Sequence, residues 1–161
     1  MTQTTTERPN RLPWPPVILC AAAIAAIAAG HFIPTATALP SGIVSRAVGA
    51  AVMAAGLALD LSAMVTMMQH KANILPHRAA TALVTTGPFA LSRNPIYLGN
   101  TLLLAGAGLA FANAWLLVAA PAQAWLVSIL AIQREEAHLA ILFGAAWRSY
   151  SHRTPRWLRL R

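Results

Sequence analysis

The chain has 161 residues, 57% of them hydrophobic and only 10% charged, whereas soluble domains carry about 25% charged residues. Lys and Arg total 12 and Asp and Glu 4, a formal charge of +8. So little polar surface excludes an ordinary soluble globule. In so apolar a chain the basic excess marks segments facing anionic lipid, and nucleic acid is not an expected partner. The expected fold is all-α: a polytopic membrane protein of about four transmembrane helices, with a helical hairpin and a cytoplasmic C-terminal helix.

No Asp, Glu, Lys or Arg occurs from Leu12 to Ser45, and a span needs about 20 apolar residues. The first helix is placed at roughly residues 15–34. Its start resembles a signal-peptide core, but the apolar run continues past it and reads as a retained span. Cys20, the one cysteine, lies in this run as a small hydrophobe and supports neither an internal disulfide nor a cysteine-based zinc site. A second span covers roughly residues 42–68, with Arg46 near one end and Asp60 inside. A long polar loop follows, carrying Lys71, His77, Arg78 and Arg93. The uncharged run from Asn94 to Gln133 is 40 residues long, about twice one span, so a hairpin is expected with spans at roughly 95–112 and 114–132 and Asn113 at its tip. Pro121 falls inside the fourth span, where it can kink the helix. Beyond Gln133, Glu136, Leu139, Phe143, Trp147 and Tyr150 recur on one face of a continuing helix. The tail is rich in arginine, with Trp157, Leu158 and Leu160 as interfacial anchors. Arg8, Arg11, the long loop and the tail fall on one side of a four-span chain, which places both termini in the cytoplasm. The whole chain, 1–161, is expected to form one integral membrane domain, in the bacterial inner membrane.

The segment Arg93-Asn94-Pro95 reads as a helix start, because Asn suits the capping position and Pro the first helical one. A helix N-terminus beside an arginine is also suited to a carboxylate or phosphate. On the same cytoplasmic face lie Glu135, Glu136 and His138. Consecutive carboxylates at the end of a span are costly unless solvated or paired. The histidines, His31, His70, His77, His138 and His152, have no metal-ligand spacing.

Two stretches, LVTTGPFALSRNPIYLG (83–99) and REEAHLAILFGAAWRSYSHRTPRWL (134–158), resemble the isoprenylcysteine carboxyl methyltransferase family and its bacterial phospholipid-methyltransferase-like relatives. The shared pattern is a Gly-Pro-Phe/Tyr step, an Arg-His/Asn-Pro-x-Tyr motif, an apolar hairpin, an acidic pair with Leu, Phe-Gly, a Tyr and an Arg-x-Pro tail, over roughly residues 76–157. The resemblance implies an integral membrane enzyme using S-adenosylmethionine, with its cofactor pocket built from that C-terminal half. Arg93, Asn94, Pro95 and Tyr97 would line the pocket, and Glu135 or Glu136 would face the cofactor's polar groups. Tyr150 and Arg153 would lie close by, and Leu83, Val84, Gly87 and Phe89 would form its walls. Arg93, Glu135 and Glu136 are the candidate catalytic residues. The isoprenylcysteine enzymes usually have His where this chain has Asn94, which cannot carry charge at neutral pH.

The expected acceptor is lipid-like or a small hydrophobic molecule: an isoprenylcysteine carboxylate, a lipid amine or similar. An amine would use a base, for which Glu135, Glu136 and His138 are candidates. Two other readings stand beside this one: an NADPH-dependent membrane reductase of the sterol-reductase type, and a non-enzymatic membrane scaffold. The small-residue faces AVGAAVMAAG and AGAG permit close helix packing without fixing an oligomeric state.

Overall fold

A computed structural model describes residues 14–34, 39, 41–73 and 80–158. Among them every regular element is helical: α1 (Trp14–Phe32), α2 (Ile43–Gln69), α3 (Pro95–Ala110), α4 (Ala114–Val127) and α5 (Gln133–Arg153). A 3-10 turn at Gly87–Ala90 precedes α3, and a π-helical turn at Ser128–Ile132 joins α4 to α5 in one rod. Helices satisfy every internal backbone hydrogen bond within themselves, which a hydrocarbon surrounding requires. By length and apolarity three helices can cross a membrane: α1, α2 and the rod Ala114–Arg153 of 40 residues. The fourth apolar helix, α3, has 16 residues and rises about 24 Å, short of a full bilayer core of about 30 Å. Ile24, Ile27, Leu57, Leu61, Val118 and Trp125 stand exposed on the outside, as lipid contact demands.

The helices are arranged in the order α2, α3, α4, α1, and the largest shared surface lies between α2 and α3. Glycines make that approach possible. A methyl group on Gly56 would come 2.7 Å from the Gly99 carbonyl oxygen, and one on Gly106 would come 2.7 Å from that of Gly49. The small residues noted in the sequence are therefore spent inside the chain, where van der Waals packing holds helices together. On the other side, Ala26 of α1 packs with Leu104, Leu116 and Ala120. Ile18 packs with Val127, Ala131 and Ile132 around the π turn.

The hairpin turns where expected. Asn113 caps α4, its side-chain oxygen accepting from Trp115 N at 3.0 Å and Leu116 N at 3.4 Å. Asn94 behaves differently. It occupies the capping position of α3, but its side chain makes no cap bond and its Nδ2 donates to the Arg156 carbonyl at 3.0 Å. The side chain turns its amide nitrogen to the returning tail instead of its oxygen to the helix end. The face expected to continue through α5 is broken at Gly144, whose φ of 49° and ψ of −113° are not helical. Beyond that break, Tyr150 reaches Phe89 of the 3-10 turn.

Candidate active site

The Ser92–Asn94 segment is built by the tail. Arg93 N donates to Pro155 O at 2.9 Å, and the Ser92 hydroxyl donates to Arg156 O at 3.1 Å. Ser92 Oγ also accepts from Asn94 N at 3.1 Å. Ser92, Asn94 and Thr154 are all buried. One level further in, the Tyr150 hydroxyl donates to Phe89 O at 2.7 Å and ties α5 to the 3-10 turn.

The charged groups then fall into place. Glu136 receives two guanidinium groups, Arg93 at 3.2 Å and Arg156 through Nε at 3.1 Å and Nη2 at 2.5 Å. These hydrogen bonds raise the Arg156 pKa above its ordinary value, so its charge is permanent. The Arg93 guanidinium also lies over Trp147, 5.6 Å from the ring centre, a cation–π distance. Glu135 is held separately, both its oxygens accepting from the Tyr97 hydroxyl at 2.9 and 3.0 Å. Two side chains of this group each keep one buried nitrogen without a partner, Arg93 at Nε and His138 at Nε2. Unpaired buried polar atoms are rare and costly, and they gather at functional sites.

These residues surround a cavity of about 360 Å³. Of the residues singled out in the sequence, Leu83, Val84, Phe89, Arg93, Asn94, Pro95, Tyr97, Glu135, Glu136 and Tyr150 line it. His138 and Trp147 line it too. Gly87 and Arg153 lie outside the wall. Gly87 serves the turn instead, with a φ of 59° that a side chain would strain. Arg153 ends α5 on its exposed side and donates from Nε to Ser149 O in its own helix. Thr154 then turns the chain with extended angles, so Arg156 rather than Arg153 points inward. Asp60 is not part of the wall; its carboxyl sits against Gly99, with Oδ1 buried and unpartnered. His77 and Arg78, like Arg8, Arg11, Arg159 and Arg161, lie outside the described residues. Among the described residues no three His, Cys, Asp or Glu side chains form a metal-binding group.

The sequence reading missed the far wall: Pro15 and Pro16 of α1, Met64 and Met67 of α2, and Asn100 of α3. Met64 and Met67 had one signal, a spacing of one helical turn near the polar end of a span.

Residues 44–146 match the family model of the phospholipid methyltransferases. The chain belongs to that family. It is thus an integral membrane protein of a methyltransferase family, with apolar helices to match. Over 78 residues it is also 36% identical to the nickel-cobalt-cadmium resistance protein NccN of Alcaligenes xylosoxydans xylosoxydans. That match covers 48% of this chain and 36% of the relative, so the chain spans about a third of the relative it matches. The phospholipid methyltransferase match begins inside α2, which the sequence reading left without motifs, and ends before Tyr150 and Arg156.

Proposed function

We propose that the chain is an S-adenosylmethionine-dependent methyltransferase of the bacterial inner membrane. In this reading residues 1–161 form a single membrane domain with both termini cytoplasmic, and residues 76–157 carry most of the cofactor pocket, whose far wall α1 and α2 supply. The acceptor is lipid-like or a small hydrophobic molecule. The observation that carries the reading is the pairing of a cationic side chain, Arg93, with a separately held carboxylate, Glu135, on the wall of one cavity. The amino-acid end of S-adenosylmethionine bears a carboxylate, an ammonium and a sulfonium, and it needs both signs of charge in this way. The donor set therefore fits the group. NADPH would ask for several free phosphate-binding cations, whereas Glu136 already engages Arg93 and Arg156.

When bound, the sulfonium supplies an activated methyl group for in-line displacement, and no metal is required. The chain's own work is positioning and exclusion of water. Arg93 binds the carboxylate through its guanidinium. Glu136 and Arg156 fix the guanidinium so that little entropy is lost on binding. Glu135, oriented by Tyr97, takes the ammonium or the ribose hydroxyls. Phe89 and Trp147 offer flat apolar surface for the adenine. For an amine acceptor, Glu135, Glu136 and His138 on the wall are the candidate bases. A carboxylate or thiolate acceptor needs no base.

The test is calorimetric titration of the detergent-purified protein with S-adenosylhomocysteine, beside Arg93→Ala. Wild-type binding that is lost in a folded mutant supports the reading. No binding by folded wild type, with protection by NADPH, would replace it with the reductase alternative.

A further inference from the structure

Gln123 sits in α4 two residues after Pro121 and is fully buried, at 0% exposure. An amide in so apolar a place is costly unless bonded. Its partner is Thr101 of α3, whose hydroxyl lies 3.2 Å from Gln123 Oε1 and donates to Tyr97 O at 2.8 Å. One hydroxyl proton does not fully serve two acceptors, and Gln123 Nε2 is left with none. Exchanging the amide oxygen and nitrogen, which are alike in shape, resolves the first of these. Nε2 then donates to Thr101 Oγ1, and Thr101 donates onward to Tyr97 O. Tyr97 is thus held twice, at its main chain by this pair and at its hydroxyl by Glu135.

We propose that Gln123 is a positioning residue for the active site: acting through Thr101, it fixes the main chain of Tyr97 and so the phenol that holds Glu135 in the cavity. A threonine bonded back one helical turn bends its helix, and the bend depends on where that hydroxyl points. Without the amide, the hydroxyl is free to rotate and the turn carrying Tyr97 is no longer fixed. Simple interhelical adhesion by Gln123 would affect the whole bundle alike. The positioning role affects Tyr97 selectively. Only its consequence for cofactor affinity rests on the function proposed above.

The chain has two tyrosines, Tyr97 and Tyr150, so 3-fluorotyrosine labelling gives two fluorine resonances, assigned by Tyr97→Phe. Gln123→Leu and Thr101→Val are expected to shift or broaden the Tyr97 line and leave Tyr150 in place, while Thr101→Ser preserves both. S-adenosylhomocysteine should bind Gln123→Leu about fivefold more weakly, the weakening that one lost hydrogen bond brings, and no more weakly still when Tyr97→Phe is added. A Tyr97 line unchanged in both Gln123→Leu and Thr101→Val overturns the proposal, as does an equal shift of both lines. An undiminished affinity loss in the Tyr97→Phe background overturns it too. If wild type does not bind the probe at all, the proposed function fails, and the fluorine spectra still decide the role of Gln123.

Discussion

Arg156 and Glu136 form a two-pronged ion pair, Nε to Oε1 at 3.1 Å and Nη2 to Oε2 at 2.5 Å, across 20 residues of chain. The pair pins the tail to α5 while the tail's own carbonyls hold Ser92 and Asn94. Arg156→Ala should therefore weaken S-adenosylhomocysteine binding about tenfold. Its cost in stability should be only about 1 kcal/mol, because the Arg156 side chain is 38% exposed and solvent screens the pair. Arg156→Lys should recover little, since an ammonium does not reproduce the fork. Calorimetry and thermal melts of both variants check this; full affinity in the alanine variant would refute it.

The α2–α3 contact makes a second prediction. A methyl group on Gly99 would overlap the Asp60 carboxyl and lie 2.7 Å from Gly56 O. Gly99→Ala should destabilise the bundle by about 1–3 kcal/mol, the usual penalty of overpacking. Gly42, which has nothing within 4 Å of an added methyl, is the control, and Gly42→Ser should leave the melting midpoint nearly unchanged. Equal midpoints for the two variants would contradict the packing described.

Gly144 makes a third. Its φ of 49° with ψ of −113° is a conformation that side chains avoid, although open space surrounds it. Gly144→Ala should cost about 1–3 kcal/mol through backbone strain alone. It should also weaken S-adenosylhomocysteine binding, because Trp147 and Tyr150 reach the cavity only past the break. A melt and a titration matching wild type would mean that the break is not needed.

Asn113 provides a fourth, remote from the cavity. Its side chain accepts from two backbone donors at the start of α4. Asn113→Ala should lower stability by about 1 kcal/mol and Asn113→Asp should restore most of it, with cofactor affinity unchanged in both. A loss of affinity without a loss of stability would show that the hairpin tip communicates with the site.

Much of this was legible in the sequence, for physical reasons. Charge-free runs have sharp edges, so the helices begin and end near the charges and prolines at their boundaries. Asn113 announced the hairpin because a cap is a local interaction. The Arg-Asn-Pro motif and the acidic pair pointed to one cavity because they flank the two ends of one apolar hairpin. What could not be read depends on contacts far apart in the chain. Asn94 looked like a cap, yet it serves a carbonyl 62 residues away. Arg153 and Arg156 are alike in composition, and only the turn at Thr154 separates an exposed arginine from one that pairs with Glu136. The π turn at Ser128–Ile132, which sets the rotation of Glu135 and Glu136, has no composition that distinguishes it from ordinary helix.

The tail's hydrogen bonds to Ser92, Arg93 and Asn94 also order events during synthesis. Pro155 and Arg156 leave the ribosome after every helix of the bundle, so those three residues are translated and delivered to the membrane before their partners exist. Insertion and helix pairing need not wait for the tail, but the cavity does. A chain arrested before Thr154 would hold a packed bundle and no finished pocket, so the protein's activity is withheld until translation has passed the last contact that builds it.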